Sequence, residues 1–189
     1  GYAMALKNAS TSAAWDTKNG TVIPNPTGTY ITTTAQLIAD KDGYTKTTMI
    51  LNSITNPSAY FSAAYAAVTT YKSTVTTPSN TSGWYLPSSG QWYDILVNLG
   101  KMSATGYTDA TGWLYWYSQV QTCANNINSY LTPLTSGTYD TFPWGSSTDY
   151  WSSSEFSSNY ACRAYFGSGV YLEANAKSNT CLMRGVVAF

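Results

Sequence analysis

Between Phe156 and Leu182 the chain gathers Tyr160, Arg163, Tyr165 and Tyr171 in a setting of Ser, Asn, Gly, Ala, Cys, Val, Leu and Thr, with Glu173 and Lys177 as the exceptions. The chemistry available there is contact chemistry. Tyrosine supplies large area at small entropic cost, and Ser, Asn and Gly supply adaptable hydrogen bonds. Tyr and Arg are also the usual hot-spot residues of interfaces. The same composition suits the polar outer face of an ordinary antiparallel sheet, and composition alone divides these two readings evenly.

Catalytic chemistry is sparse by comparison. Histidine is absent, which removes Ser-His-Asp and Cys-His catalysis, His-ligated zinc and HExxH chemistry together. Asp40-Lys41-Asp42-Gly43 resembles the start of a calcium loop, but the glycine comes too early and no carboxylate follows to close the ring, so a structural turn is expected. Asp94 falls between apolar positions of a helix and reads as part of a solvated face. Glu155 and Arg184 read as a buried ion pair fixing the tail to the core. Gly167-Ser168-Gly169 lacks a phosphate-loop context and reads as a hairpin turn. Trp113, Tyr115, Trp116 and Tyr117 read as core, with stacking on a sugar open to any that are exposed. Cys123, Cys162 and Cys181 allow one pair and one leftover thiol; no CxxC occurs. Small buried or half-exposed thiols are expected, and a Cys162–Cys181 bridge stays open. A hydrolase with an unrecognised carboxylate site is a third reading, disfavoured by the missing histidine and few acids.

The elements that must position these residues follow from punctuation and periodicity. Residues 1–31 read as strand and loop. Thr34 caps a helix that Asp42-Gly43 interrupts, and Pro57-Ser58 opens a second helical stretch. Trp84-Tyr85-Leu86-Pro87 is a short strand ended by proline. Ser88 or Ser89 then caps a helix with Trp92, Ile95, Leu96 and Leu99 at helical spacing, closed by Gly100. Residues 101–117 are loop and strand, 118–131 another helix, and 132–148 a loop insertion. From Asp149 onward, strand-like runs span 161–166, 170–176 and 182–189. Helices first and a strand cluster last give α+β.

Composition sets the outer bounds. The 189 residues carry nine basic and nine acidic side chains, so no positive excess exists to hold a nucleic-acid backbone, and nucleic acid is not expected as a partner. Charged residues make up 10% of the chain, against about 25% in ordinary soluble domains. Hydrophobic residues make up 43%, enough for a sizeable core. The surface must be built from Ser, Thr, Asn and Tyr, which suits an exported protein. No apolar run is long enough to span a membrane. No signal peptide is visible at Gly1, so an exported chain of this kind is expected to carry its anchor on a segment outside these residues.

Two stretches resemble a known family. Gly83-Trp84-Tyr85-Leu86-Pro87-Ser88-Ser89-Gly90-Gln91-Trp92 is similar to the strand-to-helix signature of the formylglycine-generating-enzyme type of C-type lectin fold. Tyr150-Trp151-Ser152-Ser153-Ser154-Glu155, followed by Ala161, Phe166, Gly169, Lys177, Arg184 and Val187-Ala188-Phe189, resembles the C-terminal variable region of bacterial and phage diversity-generating-retroelement proteins and of their non-diversified surface relatives. The resemblance implies a single α+β domain over residues 1–189 with a C-type lectin-like fold, helices packed on a small twisted antiparallel sheet, and residues 150–189 as its variable-region-like tail. In that family a reverse transcriptase rewrites template adenines, mostly in AAC-like codons.

The positions this implies as diversified and ligand-binding are Phe156, Asn159, Tyr160, Cys162, Arg163, Tyr165, Val170, Tyr171, Leu172, Asn175, Ser178, Asn179 and Cys181. Trp151, Ser152, Ser153, Glu155, Phe166, Gly169 and Arg184 would be the scaffold. Gly185 stands where Ala is usual, and Glu173 lies inside the variable stretch. The family's enzyme members need a cysteine-based copper site, and no surrounding enzyme motif accompanies Cys162 and Cys181. The Glu-Pro-Asn, Gln-Pro-Asp and Trp-Asn-Asp tripeptides of calcium-dependent sugar binding do not occur. No catalytic residue, metal or cofactor is therefore expected. The expectation is a non-catalytic binding protein for a protein or glycan on another cell or host surface. It would sit at a cell surface, lipid-anchored through an N-terminal segment outside these residues, or on a phage particle. The alternative is a fixed-sequence adhesin or carbohydrate-binding domain of the same fold, with the aromatics at 113–117 or 84–92 gripping glycan.

Overall fold

Side chains of a strand alternate between its faces, so a sequence that alternates apolar and polar groups can fill a core on one side and face outward on the other. The C-terminal third of this chain does so. The structure is a computed structural model describing residues 1–109, 111–144 and 148–189. In it β6 (Thr148–Glu155), β7 (Tyr160–Phe166) and β8 (Gly169–Ala176) form consecutive antiparallel pairs. Cys162, Ala164 and Phe166 of β7, with Val170 and Leu172 of β8, are at most 1% exposed. Arg163, Tyr165, Tyr171 and Glu173 take the opposite parity.

These strands are the centre of a seven-stranded sheet ordered β2-β9-β6-β7-β8-β5-β4, with β2 at Ser10–Ala14, β4 at Tyr107–Thr108, β5 at Leu114–Tyr117 and β9 at Thr180–Met183. A three-stranded sheet of β1 (Tyr2–Met4), β10 (Val186–Ala188) and β3 (Trp84–Tyr85) completes the strand inventory among the described residues. The α+β class is as expected, but the sheet is neither small nor wholly antiparallel: β6 and β9 meet in parallel at Tyr150 and Leu182.

The helices precede the C-terminal strands, as the punctuation predicts. Thr33 caps α1 (Thr34–Ala39), Asp42 precedes α2 (Gly43–Asn52), and Pro57 starts the short α3 (Pro57–Tyr60), followed by α4 (Ser62–Tyr65) and a π-helical continuation to Tyr71. Ser88 and Gln91 form a reciprocal capping box at the start of α5 (Ser89–Asp94), which runs through π-helical turns to Gly100. The helix α6 (Val120–Ser129) buries Cys123, Ala124 and Ile127.

Tryptophan fixes these layers together. The indole of Trp92 donates to the Trp151 carbonyl at 3.0 Å, that of Trp151 to Ala13 at 2.8 Å, and that of Trp15 to Ser152 at 2.8 Å. Each ring fills core volume while its N–H, which burial would otherwise leave unpaired, finds a strand carbonyl. One core lies beneath α5, α6 and the inner face of β7 and β8. A second gathers Trp15, Ile50, Phe61, Leu86, Trp151 and Met183.

Charge burial departs from the expected pairing. Glu155 does not pair with Arg184. Its Oε1 meets the Lys177 ammonium at 2.5 Å with both side chains fully buried, and its other oxygen accepts from the Thr27 backbone at 2.9 Å and from the Thr27 hydroxyl. Lys177 also donates to the Pro24 and Ser158 carbonyls and lies 4.7 Å from the Trp15 ring centre. Burial pushes the Glu155 carboxyl up and the Lys177 ammonium down, each opposed by its partner.

Arg184 instead donates to Asn8 and the Asp140 carbonyl and lies over Phe142. That inward turn splits the expected strand 182–189 into β9 and β10, which belong to different sheets. The expected insertion 132–148 is likewise partly structural, because Phe142 is 1% exposed in the core and Thr148 opens β6; residues 145–147 lie outside the described residues.

The Asp40 turn is structural: its carboxylate takes Lys46 and the Ser154 hydroxyl. All three cysteines are buried and unpaired, with Cys162 and Cys181 in different cores. No described helix is long and apolar enough to cross a membrane.

Two outcomes follow. Lys177→Met leaves the Glu155 charge buried without its cation and should cost about 3–5 kcal/mol in urea unfolding, while Glu155→Leu with Lys177→Met should cost less than the single change. Burial raises the Cys123 and Cys181 thiols to about 12 and pushes Cys162 up as well. At pH 8 a thiol reagent should therefore label none of the three in the native protein and all three in denaturant.

Candidate functional site

The register of five adjacent strands lines up one row of side chains. Tyr107 of β4 faces Tyr115 of β5, Tyr115 faces Tyr171 of β8, Tyr171 faces Tyr165 of β7, and Tyr165 faces Asp149 of β6. Directly opposed residues share a face, so this row is fixed by pairing alone. The rings touch: Tyr165 and Tyr171 stack at 5.1 Å between centres, and Tyr171 meets Tyr115 edge-on at 4.9 Å. Tyr117, two residues along β5, lies parallel to Tyr115 at 5.6 Å. The Gly167-Ser168-Gly169 turn is the expected hairpin. A Cβ at Gly167 would fall 2.0 Å from the Tyr165 hydroxyl and one at Gly169 2.6 Å from the Tyr171 ring, so both glycines make room for the tyrosines. Ser168 hydrogen-bonds the Tyr171 hydroxyl at 2.8 Å.

Beside this row stands a charged trio. Arg163 reaches Asp149 at 2.5 Å and Glu173 at 2.6 Å, and its guanidinium lies 5.1 Å from the Tyr165 ring centre. Burial pulls the guanidinium down, but the two carboxylates outweigh it and hold it above its ordinary value. Burial pushes the Asp149 carboxyl up, against the pull of Arg163. Glu173, out of place in a variable stretch, is thus the partner that holds Arg163 upright. Arg163 is a clamped, planar, half-buried group rather than a free arm.

The structure divides the sequence-predicted site residues. Arg163, Tyr165, Tyr171 and Asn175 share the outward face. Cys162, Val170, Leu172 and Cys181 are at most 2% exposed and cannot meet a ligand; their parity or their place in the second core turns them inward. Tyr160 is 42% exposed but has the parity of Cys162, so it opens β7 on the reverse face, away from Tyr165. Asn159, Ser178 and Asn179 are exposed at that far end of the strands. Phe156 is half-buried against Trp113, 4.6 Å away. The scaffold residues Trp151, Ser152, Ser153, Glu155, Phe166, Gly169 and Arg184 are all buried.

Sequence reasoning did not single out Tyr107, and it read Tyr115 and Tyr117 as core with a glycan-gripping surface as the alternative. The alternation of Leu114 and Trp116, both buried, with Tyr115 and Tyr117 was the available signal. What the assembled surface offers is ring edges, phenol hydroxyls and one internally neutralised arginine, which suits recognition by shape and hydrogen bonding. A larger apolar cavity of about 710 Å³ opens between Met4, Leu6, Tyr71, Val75 and Trp84, away from these residues.

No protein-family model matches the chain, and no curated protein matches it. Among solved structures, a fimbrial protein from Bacteroides ovatus is similar in fold, with a TM-score of 0.52 at 16% identity. The match covers 100% of this chain and 34% of that one, so the chain spans about a third of the fimbrial protein's length.

Arg163→Gln should leave Asp149 and Glu173 facing each other without their cation. It is expected to lower the urea midpoint by the equivalent of about 1–3 kcal/mol, more than Tyr165→Ala at about 0.5–1.5 kcal/mol.

Proposed function

We propose that this chain is a non-catalytic binding protein of C-type lectin-like fold, displayed at a cell surface, whose outward face on β7 and β8 grips a protein or glycan on another surface. The observation that carries the reading is the division of the central part of β7 and β8 by parity: Cys162, Ala164, Phe166, Val170 and Leu172 fill the core, and Arg163, Tyr165 and Tyr171 are left outward, with half-buried Asn175 and exposed Asn159, Ser178 and Asn179 toward the strand ends. Such a lattice lets contact groups change while backbone pairing and the inner face stay constant. The lectin-like fold is supported by the strand-to-helix turn, which is built from β3, the Ser88 capping box and the Trp92 anchor as the resemblance implies, and by the pairing of β1 with β10. The fold likeness to a fimbrial protein favours an exported setting.

In this reading the diversified set is Asn159, Arg163, Tyr165, Tyr171, Asn175, Ser178 and Asn179, with Phe156 at its margin and Tyr160 set apart on the reverse face. A retroelement origin makes a definite demand on the DNA: a near-identical repeat of the tail's coding sequence, differing at adenines, beside a reverse-transcriptase gene. Flanks without that repeat would leave a fixed-sequence adhesin.

The protein-level test is a substitution series read by thermal and urea unfolding. Changes at Asn159, Ser178 and Asn179 should each stay within about 0.5 kcal/mol, and Leu172→Ala should cost about 2–5 kcal/mol. Equal losses at both kinds of position would remove the basis for a surface free to vary. Because the contact surface carries little net charge, binding to its ligand should change little between low and physiological salt.

A further inference from the structure

We infer that the cleft at the β4–β5 edge is a binding site for the ring of a neutral saccharide. It holds about 320 Å³ and is walled by Ser103, Thr105, Tyr107, Tyr115, Tyr117 and Gln119. That volume is at the small end of the roughly 300–1,000 Å³ typical of small-ligand sites. Among the described residues no charged side chain lines it. The nearest charge is the Asp109 carboxylate, which accepts from the Tyr115 hydroxyl at the margin, so a phosphate or carboxylate group would find no counter-charge there. A sugar ring has what the walls complement: apolar C–H faces for aromatic rings and hydroxyls for hydroxyl and amide partners.

The cleft is built rather than accidental. Its upper loop is fixed from beneath by two side chains that donate to its carbonyls, the Trp116 indole to Ser103 at 2.8 Å and the Tyr93 hydroxyl to Ala104 at 2.7 Å. A Cβ at Gly106 would fall 2.7 Å from a Leu114 methyl, so only glycine lets the loop lie against β5 there. Tyr107 and Tyr117 are 57% and 54% exposed, yet their ring centres are 5.6 Å apart at 51°, forming an open wedge. Large exposed rings held in a defined geometry by backbone pairing lose little entropy on contact. This site lies outside the tail and does not depend on whether the tail varies.

The test titrates the full chain with cellohexaose, mannohexaose, maltohexaose and chitohexaose, with trigalacturonic acid as the acidic control, up to about 20 mM, where weak single-ring contacts are measurable. Tyrosine ring-carbon NMR shifts report the site. At least one neutral hexaose is expected to shift Tyr107 and Tyr117 saturably, with trigalacturonic acid inert. Tyr107→Ala and Tyr117→Ala should each weaken binding about tenfold or more. Gln119→Ala, an exposed change that spares the rings, should weaken it several-fold with an unchanged melting temperature. Tyr165→Ala and Arg163→Gln should leave it intact. Failure of all four neutral probes, equal binding of the acidic one, or retention of binding in the Tyr107 and Tyr117 variants overturns the inference. Loss confined to the Tyr165 and Arg163 variants also overturns it, and assigns the sugar to the β7–β8 face instead.

Discussion

The two-residue period of paired strands is the constraint on which the structure depends. Once β7 commits Cys162, Ala164 and Phe166 to the core, Arg163 and Tyr165 have no choice but to face away. Pairing then carries that choice sideways. Val170 and Leu172 follow inward on β8, as do Leu114 and Trp116 on β5, and the tyrosines between them are aligned into one row. A slip of one residue would exchange the rows, bringing phenol and guanidinium groups into the core at a cost no folded state would bear.

Register is held by interactions far from the row. The Glu155–Lys177 pair joins the end of β6 to the β8–β9 turn and draws in the N-terminal loop at Pro24 and Thr27. Buried without water, two charges attract strongly and are costly to separate, so the pair specifies geometry more than it adds net stability. The Trp15, Trp92 and Trp151 indoles perform a similar task with neutral donors, each donating to a strand carbonyl. In a chain with only 10% charged residues, these few polar contacts carry the specificity that a richer surface would distribute.

The surface that results is chemically quiet. Its arginine is neutralised by its own neighbours, its phenols lean on one another, and its glycines are placed where tyrosine rings need room. Such a surface discriminates by shape and hydrogen bonding, which is the property both the tail face and the β4–β5 cleft share. They differ in origin: one belongs to the C-terminal strands, the other to a hairpin buttressed by Tyr93 and Trp116.

Much of this was legible in the chain itself. Punctuation at Thr34, Pro57, Ser88 and Gly100 placed the helices, the first cap falling one residue earlier at Thr33, because capping and helix termination are local events. The alternation after Asp149 marked the strands and the Gly167–Gly169 turn. Absence of histidine and the balanced charge excluded whole classes of chemistry without any coordinates. Tertiary structure alone decided which partner Glu155 would take, where 182–189 would break at Arg184, and that Cys162, Val170, Leu172 and Cys181 would point inward while Tyr160 opened on the other face. It alone brought Tyr107, Tyr115 and Tyr117 onto the same face as Tyr165. These outcomes depend on contacts between residues distant in sequence, and strand order and register, which local spacing does not encode, determine them.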